Sequence, residues 1–295
     1  MRYAAIDIGS NAVRLLITDI VENNGTVSFK KNTLIRVPLR LGDDAFLDKN
    51  LSAKKANDLI KTMQAFRNLM DVYKVVDYMA FATSAMREAK NGDEIVSRIS
   101  AEANIELEII QGQKEAQIIY SSHIEQLMDK SKNFLYIDVG GGSTELSLFV
   151  SGEVWASKSF NIGTIRMLDN LDTEQTWDEM KNFIRENTRQ YKIISGIGTG
   201  GNINKLYKLA EETDKAPLTF GKLKSLYTYL NSFSLKDRIN VLGINQDRAD
   251  VIIPACEIYL TVMKTANIKS IYVPTVGLVD GIIQTLIDKN FPKQG

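Results

Sequence analysis

The sequence predicts an α/β protein of two similar halves, each built on a mixed sheet, that face one another across an interdomain cleft. Two observations carry this prediction. A short β-rich segment ending in Asp-x-Gly opens the chain and returns near its middle, as Ala5-Ile6-Asp7-Ile8-Gly9-Ser10 and Tyr136-Ile137-Asp138-Val139-Gly140-Gly141. After each copy, strand-like and helix-like apolar patterns alternate. Chance recurrence of a common turn is the alternative, and the matching strands on both sides of each turn weigh against it.

The elements follow in order. Tyr3–Ile8 and Val13–Ile20 are β-rich runs separated by Gly9-Ser10-Asn11, and Val27–Lys31 follows the turn signal Asn24-Gly25, so the chain opens as an antiparallel meander. Ser52 has the position of an N-cap for a long helix, in which Leu59, Met63, Phe66, Met70 and Tyr73 share one face at spacings of three and four. Val75–Ala82 is expected as a strand, Ala85–Lys90 and Asp93–Ala103 as helical pieces, Ile105–Ile110 as a strand and Gln113–Met128 as a helix. The polar bridge Asp129-Lys130-Ser131-Lys132-Asn133 then marks a boundary. Beyond it Phe134–Val139, Leu146–Val150 and Glu153–Phe160 repeat the meander. The expected domains cover residues 1–125, completed by a C-terminal helical segment at 281–295, and residues 126–280.

Composition removes several chemistries. Lysine plus arginine equals aspartate plus glutamate at 36 each, and no run of one sign stands out, so neither duplex nucleic acid nor an anionic membrane is expected as a partner. A polyanion would have to be held locally. His123 is the only histidine, which excludes paired-imidazole phosphatases and His-rich metal clusters. The one cysteine, Cys256, has Val262 six positions on, where a cysteine-dependent phosphate loop needs arginine. It is expected in the core, and an unpaired cysteine fits a reducing, cytoplasmic setting. No apolar run before Asp7 reaches signal-peptide length, and none elsewhere approaches the roughly 20 residues of a membrane span.

What remains is phosphate chemistry. A glycine-containing hairpin lets backbone N–H groups approach a phosphate, adjacent hydroxyls add donors, and an aspartate at the strand end can hold a divalent cation. Gly9-Ser10-Asn11 and Gly140-Gly141-Gly142-Ser143-Thr144 both have this makeup. They are the candidate phosphate contacts, with Asp138 and Asp7 as candidate ligands for Mg²⁺ or Mn²⁺. Hydrolysis also needs a group that orients water, and Glu115 falls in the first turn of a predicted helix, where the macrodipole favours the ionised carboxylate. Position alone is better explained by a glutamate chosen only for helix stability. Glu145 is a second candidate metal or water ligand, or a solvent-facing strand residue. Arg87, at a strand-to-helix junction, suits phosphate oxygens, or else a helix-surface ion pair with Glu88 or a neighbour.

Gly196-Ile197-Gly198-Thr199-Gly200-Gly201 satisfies G-x-G-x-x-G after an apolar strand expected over Tyr191–Ser195 and before a helix expected from about Asn202. A dinucleotide unit also needs a second strand ending in an acid some 20 residues on, whereas Glu211-Glu212-Thr213 leads into Ala216-Pro217. The segment is kept as a phosphate or nucleotide loop.

With these residues in place the chain resembles, nearly end to end, the exopolyphosphatase and guanosine-pentaphosphate phosphatase family of the actin-like ATPase superfamily. Ala5 to Asn11 with Arg14-Leu15 and Ile137 to Glu145 are similar to its two phosphate motifs. Ala82-Thr83-Ser84-Ala85-Met86-Arg87-Glu88-Ala89 and Gly112-Gln113-Lys114-Glu115-Ala116 are similar to two further signatures. Ile162 to Arg166, Gly198 to Asn202, Arg248 to Ile252 and Val276 to Gly281 agree as well. The resemblance implies two ribonuclease H-like domains. It also implies Glu115 as catalytic base, Asp138 as a Mg²⁺ ligand, Arg87 as a phosphate contact, and polyphosphate or guanosine pentaphosphate or tetraphosphate as ligand. Ala12 departs from the family pattern where a hydroxyl residue is usual, and Ser121-Ser122 where a glycine is common. A chain ending at Gly295 lacks the additional C-terminal domains of long exopolyphosphatases, which favours shorter substrates. A kinase or ATPase of the same superfamily and a non-catalytic guanosine tetraphosphate sensor are the rival readings. A homodimer is compatible with the sequence, which does not select one.

Overall fold

The computed structural model describes residues 1–23, 26–121, 132–211, 216–274 and 276–292. The opening meander is β1 (Arg2–Ile8), β2 (Val13–Asn23) and β3 (Thr26–Val37), followed by α1 (Leu41–Leu47), α2 (Ala53–Val72), β4 (Val75–Ala82), α3 (Ser84–Glu88), α4 (Gly92–Ala103), β5 (Glu108–Ile109) and α5 (Gly112–Ser121). After the second meander, β6 (Phe134–Val139), β7 (Thr144–Val150) and β8 (Glu153–Phe160), come α6 (Thr164–Leu168), α7 (Glu174–Thr188), β9 (Ser195–Thr199), α8 (Gly201–Leu209) and β10 (Leu218–Thr219). The chain then forms α9 (Phe220–Asn231), α10 (Leu235–Asn240), α11 (Gln246–Ala249), α12 (Ile252–Thr265), β11 (Ser270–Tyr272) and α13 (Leu278–Asn290). These elements form two compact units, Met1–Ile124 with Val276–Gly295, and Glu125–Thr275.

The first unit holds a five-stranded sheet of order β3-β2-β1-β4-β5, in which β1 is antiparallel to β2 and parallel to β4. The second holds a six-stranded sheet of order β10-β11-β9-β6-β7-β8, with β6 antiparallel to β7 and parallel to β9. In both sheets the strand carrying the Asp-x-Gly motif is central, flanked by its meander partner on one side and a parallel strand on the other.

Local chemistry accounts for the main elements. The Ser52 hydroxyl accepts the Lys55 amide at 3.3 Å and caps α2. Leu59, Met63, Phe66 and Met70 on its inner face are at most 2 % exposed, each burial contributing about 1.5–3 kcal/mol. Tyr73 ends that stripe half-buried, its hydroxyl accepting from Thr33 at 3.1 Å. The core of the second unit collects Leu135, Ile137 and Val139 from β6 with Tyr259, Val262 and Met263 from α12. Cys256 is in that core, and burial pushes its thiol up to about 12, which leaves it an inert packing group.

Three sequence expectations need correction. The third strand runs on to Val37, because Thr33, Ile35 and Val37 continue the ladder against Ile17, Leu15 and Val13. The strand expected over Ile105–Ile110 pairs only at Glu108 and Ile109, with buried Ile105 and Ile110 as apolar flanks. The strand expected at Tyr191–Ser195 starts only at Ser195, so Gly196 and Gly198 of the glycine fingerprint belong to β9 and not to a loop. A Cβ on Gly196 would stand 2.7 Å from Ile271 Cγ1, and one on Gly198 2.9 Å from Ile271 Cγ2, so these glycines serve strand packing. His123, Ser122 and the end of the helix expected to reach Met128 lie outside the described residues.

Candidate active site

In the first unit, Asp7 stands one residue before the end of β1, with Arg14 opposite it on β2 and Phe81 beside it on β4. Its Oδ2 accepts from Arg14 Nη1 at 2.5 Å, and the residue is 3 % exposed. Burial pushes the Asp7 carboxyl above the ordinary range, with the Arg14 charge and hydrogen bond pulling the other way. The turn that follows is closed by the Gly9 amide on the Ala12 carbonyl at 3.2 Å. Amides of Gly42 and Arg40 then bond the Ser10 and Asn11 carbonyls at 2.9 and 3.0 Å. The Ser10 hydroxyl meets the Ser84 hydroxyl at 2.8 Å, which latches the hairpin to the start of α3.

The same region carries Arg87 and Glu115. Arg87 donates from Nη1 to the Ile110 carbonyl at 2.8 Å, fastening α3 to the bend that leads into α5. The helix-surface pair considered for Arg87 is not what Glu88 makes, since Glu88 bridges to Lys49 at 3.3 Å. Glu115 is half-buried in the first turn of α5. Its neighbour Lys114 bridges to Glu108 at 2.5 Å and lies over the Phe81 ring, 5.2 Å from its centre. Because Phe81 is the parallel partner of Asp7, this anchors the turn bearing Glu115 over the strand next to Asp7.

The second unit repeats the plan with different side chains. Asp138 stands one residue before the end of β6, with Glu145 opposite on β7 and Thr199 beside it on β9. The Gly140 amide closes the turn on the Ser143 carbonyl at 2.9 Å. All three glycine carbonyls are bound from the segment after β8. Gly140 takes the Thr164 amide at 3.0 Å, Gly141 the Ile165 amide at 2.8 Å and Gly142 the Arg166 Nε at 2.5 Å. The carbonyl oxygens of this glycine turn are therefore all engaged within the fold. Glu145 is 3 % exposed, which removes the solvent-facing alternative, and its Oε1 accepts from Ser143 at 2.6 Å and Ser159 at 2.8 Å. Thr144 is buried and donates to the Ile162 carbonyl at 2.7 Å, so its hydroxyl braces the hairpin from behind.

Gly200 completes this half. It has φ +91°, and a Cβ there would stand 2.7 Å from Asp138 Oδ1, so the bare Cα is the seat of the Asp138 carboxylate. The sequence motif around Gly200 flagged a glycine loop, but not that one glycine supports the aspartate of another hairpin. Ser84 and Ser159 were likewise unassigned by sequence reasoning, and only the latch at Ser10 and the bonds to Glu145 give them roles.

Among the described residues no three His, Cys, Asp or Glu side chains are grouped to hold a metal ion by themselves. None of the described helices is long and apolar enough to cross a membrane.

The model of the Ppx/GppA phosphatase family matches residues 20–290. The chain belongs to this family. It is 28% identical over 273 residues to the bifunctional 3-dehydroquinate synthase/phosphatase of Fusobacterium nucleatum, covering 85% of this chain but 41% of that one. With exopolyphosphatase 1 of Mycobacterium tuberculosis it shares 24% identity over 98% of this chain and 89% of the relative. A guanosine-5'-triphosphate,3'-diphosphate pyrophosphatase of Aeromonas salmonicida is 25% identical over 98% of this chain, which spans 60% of that protein's length. The crystal structure of an exopolyphosphatase from Cytophaga hutchinsonii superposes with a TM-score of 0.85 at 25% identity, over 98% of both chains. The fold is thus the α/β, actin-like ATPase fold of Ppx/GppA proteins, with one mixed sheet in each unit.

Proposed function

We propose that this Ppx/GppA protein is a metal-dependent phosphohydrolase that releases the terminal phosphate of inorganic polyphosphate, of guanosine pentaphosphate, or of both, in the cytoplasm. The observation that carries the reading is the repeated arrangement of an aspartate at a strand end beside a braced glycine hairpin, found once in each unit of a chain in a phosphatase family. The names of the mycobacterial and Aeromonas relatives supply the two substrate classes.

Gly9, Ser10 and Asn11 in one unit and Gly140, Gly141, Gly142 and Ser143 in the other bind phosphate oxygens, with Arg87 as a further donor, while Thr144, whose hydroxyl donates to the Ile162 carbonyl, braces the second hairpin instead of contacting phosphate as the sequence suggested. Glu115 orients the attacking water and takes its proton. The donor set fits a hard divalent cation, Mg²⁺ or Mn²⁺, because Asp138 and Glu145 are adjacent carboxylates in a hydrogen-bonded frame without nitrogen or sulfur donors. Asp138 is its main ligand, supported by Glu145. In the first unit Asp7 commits Oδ2 to Arg14, which leaves Oδ1 as the oxygen it would offer a cation. One or two carboxylates with substrate phosphates and water are the usual Mg²⁺ arrangement, which agrees with the lack of a larger acidic group. The cation, when bound, neutralises charge on the phosphoryl oxygens.

The test is phosphate release from tripolyphosphate, long-chain polyphosphate, guanosine pentaphosphate and ATP, with and without Mg²⁺. Release from one of the first three that stops in EDTA is expected. Inertness toward all three, with acceptor-stimulated ADP formation from ATP or with guanosine tetraphosphate binding alone, would overturn the proposal. In an active protein, Glu115→Gln should lower turnover by about 10²–10⁴ and leave substrate binding nearly intact.

A further inference from the structure

Beneath Asp138 the second unit holds two buried phenols that the proposed reaction does not use. Tyr259, on α12, is fully buried, and its ring lies under Gly198, where a Cβ would stand 3.3 Å from Cε1. The hydroxyl reaches the ends of two neighbouring strands. It donates to the Thr199 carbonyl at 3.1 Å, with the Ile137 carbonyl at 3.4 Å. Ile137 immediately precedes Asp138, and Thr199 precedes Gly200, the seat of its carboxylate. The second phenol, Tyr136, shares a hydrogen bond with the Thr199 hydroxyl. Burial and the Asp138 charge raise both phenols, so both stay protonated and able to donate.

The neighbours of Tyr259 on α12, Ile258, Val262 and Met263, are apolar, and phenylalanine would fill the same space. The hydroxyl is therefore explained by what it binds, not by packing. It ties β6 to β9 at the level where Asp138 meets Gly200, while Asn202 Nδ2 binds the Val139 carbonyl at 3.0 Å from α8. We infer that Tyr259 is a positioning residue, whose hydroxyl fixes the ends of β6 and β9 and thereby the seat of Asp138. Its effect on catalysis rests on the reading of Asp138 given above; its effect on the strand ends does not.

The experiment compares the full-length protein with Tyr259→Phe and, as a packing control in the same helix, Ile258→Val. Site-resolved amide exchange, Mn²⁺ affinity in the presence of tripolyphosphate, and kcat and KM on Mg²⁺-tripolyphosphate are measured. Tyr259→Phe should speed exchange at Val139 and at Thr199 to Gly201 about tenfold while α12 stays protected. It should also weaken Mn²⁺ binding and lower kcat about tenfold with KM little changed. Adding Asp138→Asn should then cost no more than Asp138→Asn alone. Wild-type exchange at Val139 and Gly200, or the same pattern in Ile258→Val, would overturn the inference. If the unaltered protein released no phosphate from any polyphosphate, the catalytic reading would fall, and the exchange data would still decide whether Tyr259 holds the strand ends.

Discussion

Asp7 and Gly200 show how single residues set the conditions for chemistry. Burial raises the Asp7 carboxyl, so the folded chain holds that proton more tightly than the unfolded chain does. The associated stability is complete below the ordinary aspartate range and is lost as pH rises through the raised folded value. Asparagine cannot titrate, and the loss of the Arg14 partner is a constant offset. The stability of the wild type relative to Asp7→Asn should therefore decline with rising pH across that window and level off above it. Urea denaturation of both proteins at intervals between about pH 3 and 7 measures this, and a difference that grows with pH contradicts the assigned shift. At Gly200 a methyl group meets both a left-handed backbone and Asp138 Oδ1, at 2.7 Å. Strain of about 1–3 kcal/mol would leave the protein folded, but the displaced carboxylate should cost about 10²-fold in phosphate release. Gly200→Ala with full activity would show that Asp138 need not sit where it does.

Elements follow from sequence where one local rule decides, and escape it where tertiary contact does. Val75–Ala82, Phe134–Val139 and Glu153–Phe160 form strands with the bounds their β-rich patterns predict, and Ser52 caps α2 as its position predicts. The displaced strand at Ser195–Thr199 is the instructive failure. Tyr191–Ile194 is as apolar as a strand, but pairing with β6 and β11 falls on Gly196 and its neighbours, whose missing side chains admit Ile271. Packing overrode propensity there. The Ser10–Ser84 latch and the Ser159 hydroxyl on Glu145 were hidden for a related reason, since they join residues that are distant in the sequence. Helix α13 gives the clearest test of such contact. A Cβ on Gly281 would overlap the Ile118 carbonyl of α5. Helix propensity alone would stabilise Gly281→Ala by about 1 kcal/mol. Forcing the two helices apart costs about 1–3 kcal/mol or more, because the obstacle is backbone and cannot rotate away. A net loss of stability in urea denaturation is expected, and a gain of about 1 kcal/mol would mean that α5 and α13 are not held this closely.

For the molecule as a whole, the repeated motif announced the architecture because duplication leaves the same strand order around Asp7 and Asp138 even though their partners differ, arginine and phenylalanine in one sheet and glutamate and threonine in the other. The charge balance bears on how such a protein meets a polyanion. With 36 basic and 36 acidic residues the chain has no net charge to draw phosphate chains from a distance. Long-range steering accelerates association by about 10–10³-fold in proteins with strongly asymmetric fields, and salt abolishes that gain. Contacts within a few ångströms, inside the Debye length of about 10 Å at 0.1 M, are screened much less. If capture depends on local donors such as the two hairpins, kcat/KM for Mg²⁺-tripolyphosphate should fall by less than about tenfold between roughly 20 and 200 mM KCl. Initial rates at fixed free Mg²⁺ measure it. A decline of about 10² or more would mean that a basic field of longer reach guides the substrate, and that the neutral total conceals a strong asymmetry.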